Sequence, residues 1–230
     1  MSIKFSPAPS ALLILVALLP VSLRGEDEPP GTQASSEEPP HAAVLQSDDA
    51  APDWRVKEWT DGRSRKLADY RGRVVVIEFW GIWCGPCIRM IPAIKELQNQ
   101  YEGENVVFLG IHSAGTSDEE VKSQLSKHNW TIPSAIDDGT SLADSMSANA
   151  FGVVGYPTIV IIDRFGKVSY HSGRAERQAF VNRIERLAED LKLPWPIDQN
   201  YEDLDELTHR LNRVAVALYR EEIERALGRN

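Results

Sequence analysis

Cys84 and Cys87 are the only two cysteines among 230 residues, and they are separated by two positions in Trp83-Cys84-Gly85-Pro86-Cys87. An apolar run of β type, residues 74–80, leads into them, and residues 88–101 read as a helix. A strand that delivers two thiols to the start of a helix is an arrangement for redox chemistry. The helix start offers unpaired N–H groups and a partial positive charge. Both favour thiolate over thiol and lower the pKa of the first cysteine. The second cysteine lies one turn further in, near enough to close a disulfide. Two plainer readings compete: a structural bridge and half of a zinc site. A structural bridge normally closes a larger loop, and zinc takes about four ligands. His41, His128, His171 and His209 show no ligand spacing with the cysteines, and His112 reads as a loop residue after the second strand. No metal is therefore expected.

The spacing also assigns roles. Cys84, at the exposed helix start, is expected to be the nucleophile whose thiolate attacks a substrate disulfide and forms a mixed disulfide. Cys87 then attacks Cys84 and releases reduced substrate. Pro86 suits an early helical position, where a missing N–H costs little. Trp83 is expected to cover the sulfurs. Glu78 is the unusual residue, because a carboxylate inside an apolar strand is expensive to bury as an ion. Either it faces outward, or it is buried with a raised pKa.

With these residues in view, the chain resembles thioredoxin-fold proteins. Glu78 stands six residues before Cys84, where thioredoxins carry a buried carboxylate, and Pro92 stands five residues after Cys87, where their active-site helix carries a proline. Gly155-Tyr156-Pro157-Thr158 resembles the motif whose proline is cis and faces the cysteines. The likeness covers roughly residues 51–193 and is greatest to the exported TlpA-like reductases (AhpC/TSA-type thioredoxin domain), whose mark is an extra mid-domain segment, here about residues 113–150. The resemblance implies an α/β fold with a central mixed sheet flanked by helices. It implies that Glu78 moves the proton of Cys87 near neutral pH, and that cis-Pro157 leaves the Tyr156 backbone free to pair with an extended substrate peptide. Trp83, Gly85, Pro86 and Tyr156 would border that substrate. One departure is visible: thioredoxins often place a lysine opposite the acid, whereas residues 106–111 read Val-Val-Phe-Leu-Gly-Ile.

The N-terminus reads as an address. Lys4 precedes an apolar stretch, residues 11–19, too short for a spanning helix and suited to a signal peptide. Residues 1–25 are thus expected to be a signal peptide or an N-terminal anchor, placing the protein in the periplasm or cell envelope. Residues 26–51 are rich in Glu, Asp, Pro, Ser and Ala and read as a disordered acidic linker. The net charge is −9, and removal of residues 1–25 takes away Lys4 and Arg24 and no acid, leaving −11. That excludes nucleic acid as a partner and adhesion to an anionic bilayer through a basic patch.

Residues 52–193 are expected to form the folded domain, in which strands alternate with helices as in α/β layer folds. Pro194-Trp195-Pro196 then breaks the chain, and residues 194–230 form an extension. Leu204, Leu207, Leu211, Val214, Leu218 and Ile223 recur at steps of three and four, one apolar stripe on a helix. The stripe predicts a helix packed on its own domain, with a homodimer through a short coiled coil as the alternative. Because the motifs end well before it, its removal is expected to lower stability and spare the chemistry.

Three function classes follow. The favoured one is an exported thiol-disulfide oxidoreductase that reduces protein disulfides, needs no cofactor and is recharged by a membrane electron donor. A peroxidase of the peroxiredoxin type is the second, although that family uses Thr or Ser where this chain has Gly81. A copper-binding assembly module is the third, opposed by the lack of an obvious third ligand.

Overall fold

The computed structural model describes residues 45, 47–194 and 203–229. The expected signal peptide or anchor and most of the expected linker lie outside the described residues. Six strands, β1 (Val56–Trp59), β2 (Val74–Trp80), β3 (Val106–His112), β4 (Ser134–Asp137), β5 (Thr158–Ile162) and β6 (Val168–His171), form one sheet in the order β1-β4-β3-β2-β5-β6. β2 runs parallel to β3, and β3 to β4, while the other neighbours are antiparallel. The sheet is therefore mixed, as expected.

Among the described residues five α-helices flank it: α1 (Gly85–Gln100), α2 (Asp118–Lys127), α3 (Met146–Phe151), α4 (Arg177–Asp190) and α5 (Leu204–Leu227). β2 lacks polar alternation because both of its faces are covered, and all seven of its residues are buried. Val75, Ile77 and Phe79 point into one layer with Trp54, Trp59 and Phe151. Val74, Val76 and Trp80 point into the other, with both cysteines and the apolar faces of α1, α4 and α5. Glu78 is in phase with this second set.

The segment at 113–150 is built into the sheet rather than appended to it. It supplies α2, β4 and α3, and β4 lies between β3 and the edge strand β1. Asp137, at the end of β4, accepts from the backbone N–H groups of Ser147 (2.7 Å) and Ala148 (2.9 Å), which fixes the start of α3. α2 opens on a reciprocal capping box between Ser117 and Glu120.

One end of the domain differs from the sequence expectation, and the other follows its favoured reading. The linker was placed up to residue 51, yet Asp48 N–H donates to Val168 O (2.9 Å), Val168 N–H to Asp49 O (2.9 Å) and Ala51 N–H to Gly166 O (3.0 Å). These residues lie along the β5–β6 hairpin because its edge offers unpaired backbone groups. At the other end, Leu207, Leu211, Val214, Leu218 and Ile223 are buried. α5 packs on α1, α4, β2, β5 and β6 of its own chain. The seam required for a homodimeric coiled coil is thereby used within one chain.

Candidate active site

The sequence places the cysteines at the turn from β2 to α1. Cys84 is the N-cap residue of α1, and Gly85 and Pro86 occupy its first two positions, where Pro86 removes no helical hydrogen bond. Cys84 and Cys87 are joined in a disulfide with Cα atoms 5.3 Å apart. The Cys87 backbone N–H points at Cys84 Sγ (3.2 Å). One expectation needs correcting: Cys84 is 4% exposed, so its place at the helix start does not make the sulfur open in the disulfide state. Both cysteines belong to the larger of the two core layers, against which Ile82, Ile88 and Tyr156 pack half-buried.

The exposed group is Trp83, at 55%. Its indole folds back over Gly81, where a Cβ would meet the ring at 2.7 Å, so any larger residue here would displace the indole. The ring meets Tyr156 edge to face with centroids 5.5 Å apart, and its Nε1 donates to Ser113 Oγ (3.3 Å). Tyr156 precedes Pro157 across a cis bond, and its ring contact with Trp83 brings residues 155–158 beside the residue that precedes Cys84. Val154, two residues before Tyr156, is an apolar side chain 81% exposed.

His112 has a part that sequence reasoning missed. Its Nε2 accepts from Ile82 N–H (2.8 Å) and its Nδ1 lies 2.8 Å from Ser113 O. A ring that accepts at Nε2 must carry its proton at Nδ1. Burial holds its pKa below the ordinary value, which keeps this neutral form. His112 thus anchors the loop before the cysteines. The signal was its position in register with Trp80 at the end of β3, which becomes visible only once strand pairing is known.

Glu78 is buried, 1% exposed, and burial pushes its pKa to about 8. Neither of its oxygens has a hydrogen-bond partner among the described residues. The position where thioredoxins often hold lysine is bare: Glu78 pairs with Gly110 on β3 and Ile159 on β5. A Cβ at Gly110 would meet Ser134 Oγ at 2.6 Å and Trp80 Nε1 at 3.0 Å, so no side chain fits there. Instead α5 covers this side of the sheet and brings Tyr219 into the cluster with the cysteines. The C-terminal helix therefore packs on the strand that carries Glu78.

The arrangement can exchange a disulfide: two sulfurs bonded at a helix start, a buried acid on the same face, and an aromatic and apolar rim. The chain is also similar to known proteins. The chain is 36% identical over 118 residues to a thiol-disulfide oxidoreductase ResA of Geobacillus thermodenitrificans, covering 51% of this chain and 64% of that one, less than two thirds of the relative's length. It is 29% identical over 143 residues to the thioredoxin-like protein YneN of Bacillus subtilis, covering 61% of this chain and 80% of the other. Among solved structures, a protein described as a thiol:disulfide interchange protein DsbE from Chlorobium tepidum superposes with a TM-score of 0.50 at 27% identity, covering 62% of this chain and 98% of that one. The fold is thioredoxin-like. A family model described as Redoxin matches residues 46–187, more than half of the sequence and the whole of the cysteine-bearing sheet, and the chain belongs to that family.

Proposed function

We propose that the protein is an exported thiol-disulfide oxidoreductase that reduces protein disulfides through Cys84 and Cys87. The observation that carries this reading is the pair itself, bonded across the first turn of α1 with Glu78 buried on the same side of the sheet. In the reduced form the Cys84 thiolate attacks one sulfur of a substrate disulfide, and the other substrate sulfur leaves as thiolate. Cys87 then gives its proton to ionised Glu78. Its sulfur bonds to Cys84 as the Cys84–substrate bond breaks, and the substrate leaves fully reduced. A base with a pKa near 8 is matched to a thiol of ordinary pKa about 8.5. Trp83, Tyr156 and Pro157 form the rim on which substrate backbone docks, and Gly85 and Pro86 keep the approach to Cys84 free of bulk.

The N-terminal 25 residues, with Lys4 ahead of a short apolar stretch, support export as a cleaved signal or an anchor, followed by a linker to the folded domain. An exported reductant is cut off from cytosolic donors, so a membrane partner that carries electrons outward recharges it. Insulin reduction tests the assignment. Cys84→Ser is expected to abolish turnover and covalent capture of substrate alike. Cys87→Ser is expected to stop turnover while retaining substrate as a mixed disulfide on Cys84. Faster alkylation of Cys87 than of Cys84 in the reduced protein at mildly acidic pH would overturn the roles.

A further inference from the structure

β2 and β3 pair in parallel as far as Trp80 and His112. Residues 81–83, between β2 and the N-cap Cys84, lie outside strand and helix. The polar groups of such a stretch must find partners elsewhere. Two consecutive residues supply them: His112, the last of β3, and Ser113, the next. Ser113 N–H donates to Trp80 O (3.0 Å), which ends the ladder. Ile82 N–H donates to His112 Nε2 (2.8 Å), so the imidazole takes the place of a further strand residue. Trp83 Nε1 donates to Ser113 Oγ (3.3 Å). Cys84 N–H turns back to Gly81 O (3.0 Å) and closes the turn on which this cysteine stands. One bracket of two residues therefore grips the chain at Trp80, Ile82 and Trp83, immediately before Cys84.

The ring at the centre of the bracket is itself fixed. His112 is wholly buried and stands edge to face on Trp80, with centroids 4.9 Å apart. Trp80 in turn meets Trp130 edge to face at 4.8 Å. The second ring nitrogen, Nδ1, lies 2.8 Å from Ser113 O. With Nε2 accepting from Ile82 and Nδ1 carrying its proton towards Ser113 O, the imidazole has no lone pair left for a thiol. It cannot be the base for Cys84, and its part is geometric. Geometry matters in disulfide exchange, because the attacking sulfur must line up with the bond that breaks, and small misplacements of a reacting group are costly.

We propose that His112 is a positioning residue for the first step of exchange: with Ser113 it holds Cys84 and Trp83 in one arrangement, the sulfur aligned for attack and the indole beside it as the docking wall. The inference rests on Cys84 being the nucleophile. In this step the Cys84 thiolate uses its own electron pair to bond one substrate sulfur. The other substrate sulfur leaves as thiolate with the electrons of the broken S–S bond. No proton passes to or from His112. The resolving step belongs to Cys87, inside α1, and does not draw on the bracket.

The test uses the full chain and two rates at neutral pH. The first is capture of a disulfide-linked peptide by reduced Cys87→Ser protein. The second, with Cys87 present, is release of thionitrobenzoate from Cys84. His112→Leu, which keeps bulk and removes both ring nitrogens, is expected to slow capture roughly tenfold and leave release within about twofold. His112→Gln, whose side-chain oxygen can accept from Ile82 N–H, should recover most of the lost rate. Ser113→Ala, which removes only the acceptor of the indole N–H, is expected to slow capture about threefold. Equal slowing of capture and release in His112→Leu, or parental capture with an earlier melt, would make His112 a residue of the fold alone and overturn the proposal. A Gln variant as slow as the Leu variant would do the same. Should His112→Leu fail to fold, an ester in place of the Ile82 amide removes the same hydrogen bond without touching the core. An unchanged capture rate in that protein rejects the idea. If Cys87→Ser captures no peptide at all, Cys84 is not the nucleophile and both readings fall. If it captures peptide and the His112 variants do so at the parental rate, only the role of His112 falls.

Discussion

At the scale of single residues, the buried ionisable groups set opposing dependences of stability on pH. The Glu78 carboxyl has its pKa raised from 4.5 to about 8 by burial. Between those values the unfolded chain has lost this proton and the folded one keeps it, so stability falls as pH rises through the window. The contribution is complete below pH 4.5 and gone above about 8. His171 acts the other way. Its Nδ1 accepts from Gly173 N–H (3.2 Å), so the ring stays neutral, and burial, with the charge of Arg174, lowers its pKa to about 4. Below pH 6.5 the unfolded chain takes up a proton that the folded ring refuses, so stability falls as pH drops towards 4. His112 has the same sign. Thermal melts across pH should therefore show Glu78→Gln gaining on the parent protein steadily from pH 4.5 to about 8, then holding a constant lead. A lead that does not change with pH would mean that Glu78 is not held protonated by the fold. The sequence disclosed this carboxylate as an anomaly in an apolar strand. It could not disclose its face, because β2 has no polar alternation from which to read one.

At the scale of elements, α5 is fastened to the sheet by more than its apolar stripe. Glu222, 1% exposed, accepts from Arg183 of α4 and from Arg225 Nη1 (2.7 Å). Glu221 binds Arg183 (2.7 Å) and Arg186 (3.0 Å) of the same helix. Towards α1, Tyr101 OH donates to Glu224 (2.7 Å), and Asn212 Nδ2 donates to Arg89 O (3.0 Å) in the active-site helix. Glu222→Ala would leave the Arg183 guanidinium short of its buried partner, a change that costs about 3 kcal/mol or more. Glu221→Ala, at a more exposed position, should cost about 1 kcal/mol or less. Urea denaturation of the two variants checks the contrast, and equal losses would place Glu222 in a wetter setting than its burial indicates. The helix itself was legible, because Leu207, Leu211, Val214, Leu218 and Ile223 keep a regular step. Its partner was not. Periodicity reports that a face is apolar and says nothing of what covers it, and Tyr219 lies off the stripe that the spacing picks out. The cysteine turn was legible for the opposite reason: its chemistry depends on local spacing, and the helix start follows from the same five residues.

At the scale of the whole molecule, the remaining question is which way electrons flow. The poise of a dithiol depends on how strongly its reduced form is stabilised, chiefly through the nucleophilic thiolate. Gly85 and Pro86 contribute no side-chain donor to Cys84, and Pro86 has no N–H to offer. The general help of the helix start remains, as in every protein of this architecture. Oxidants with potentials of about −120 mV owe their strength to a reduced form that is stabilised, whereas thioredoxins lie at roughly −270 mV. With no side-chain donor between its cysteines, this chain is expected near the reducing end, at or below about −200 mV. The proposed role of Glu78 as base for Cys87 would act in the same direction, by favouring resolution of the mixed disulfide, the step that leaves the substrate reduced. Equilibration of the full chain with glutathione buffers, read by alkylation of Cys84, gives the potential directly. A value close to that of the strong oxidants, or a Cys84 thiol that stays ionised down to about pH 4, would make the protein a donor of disulfides instead.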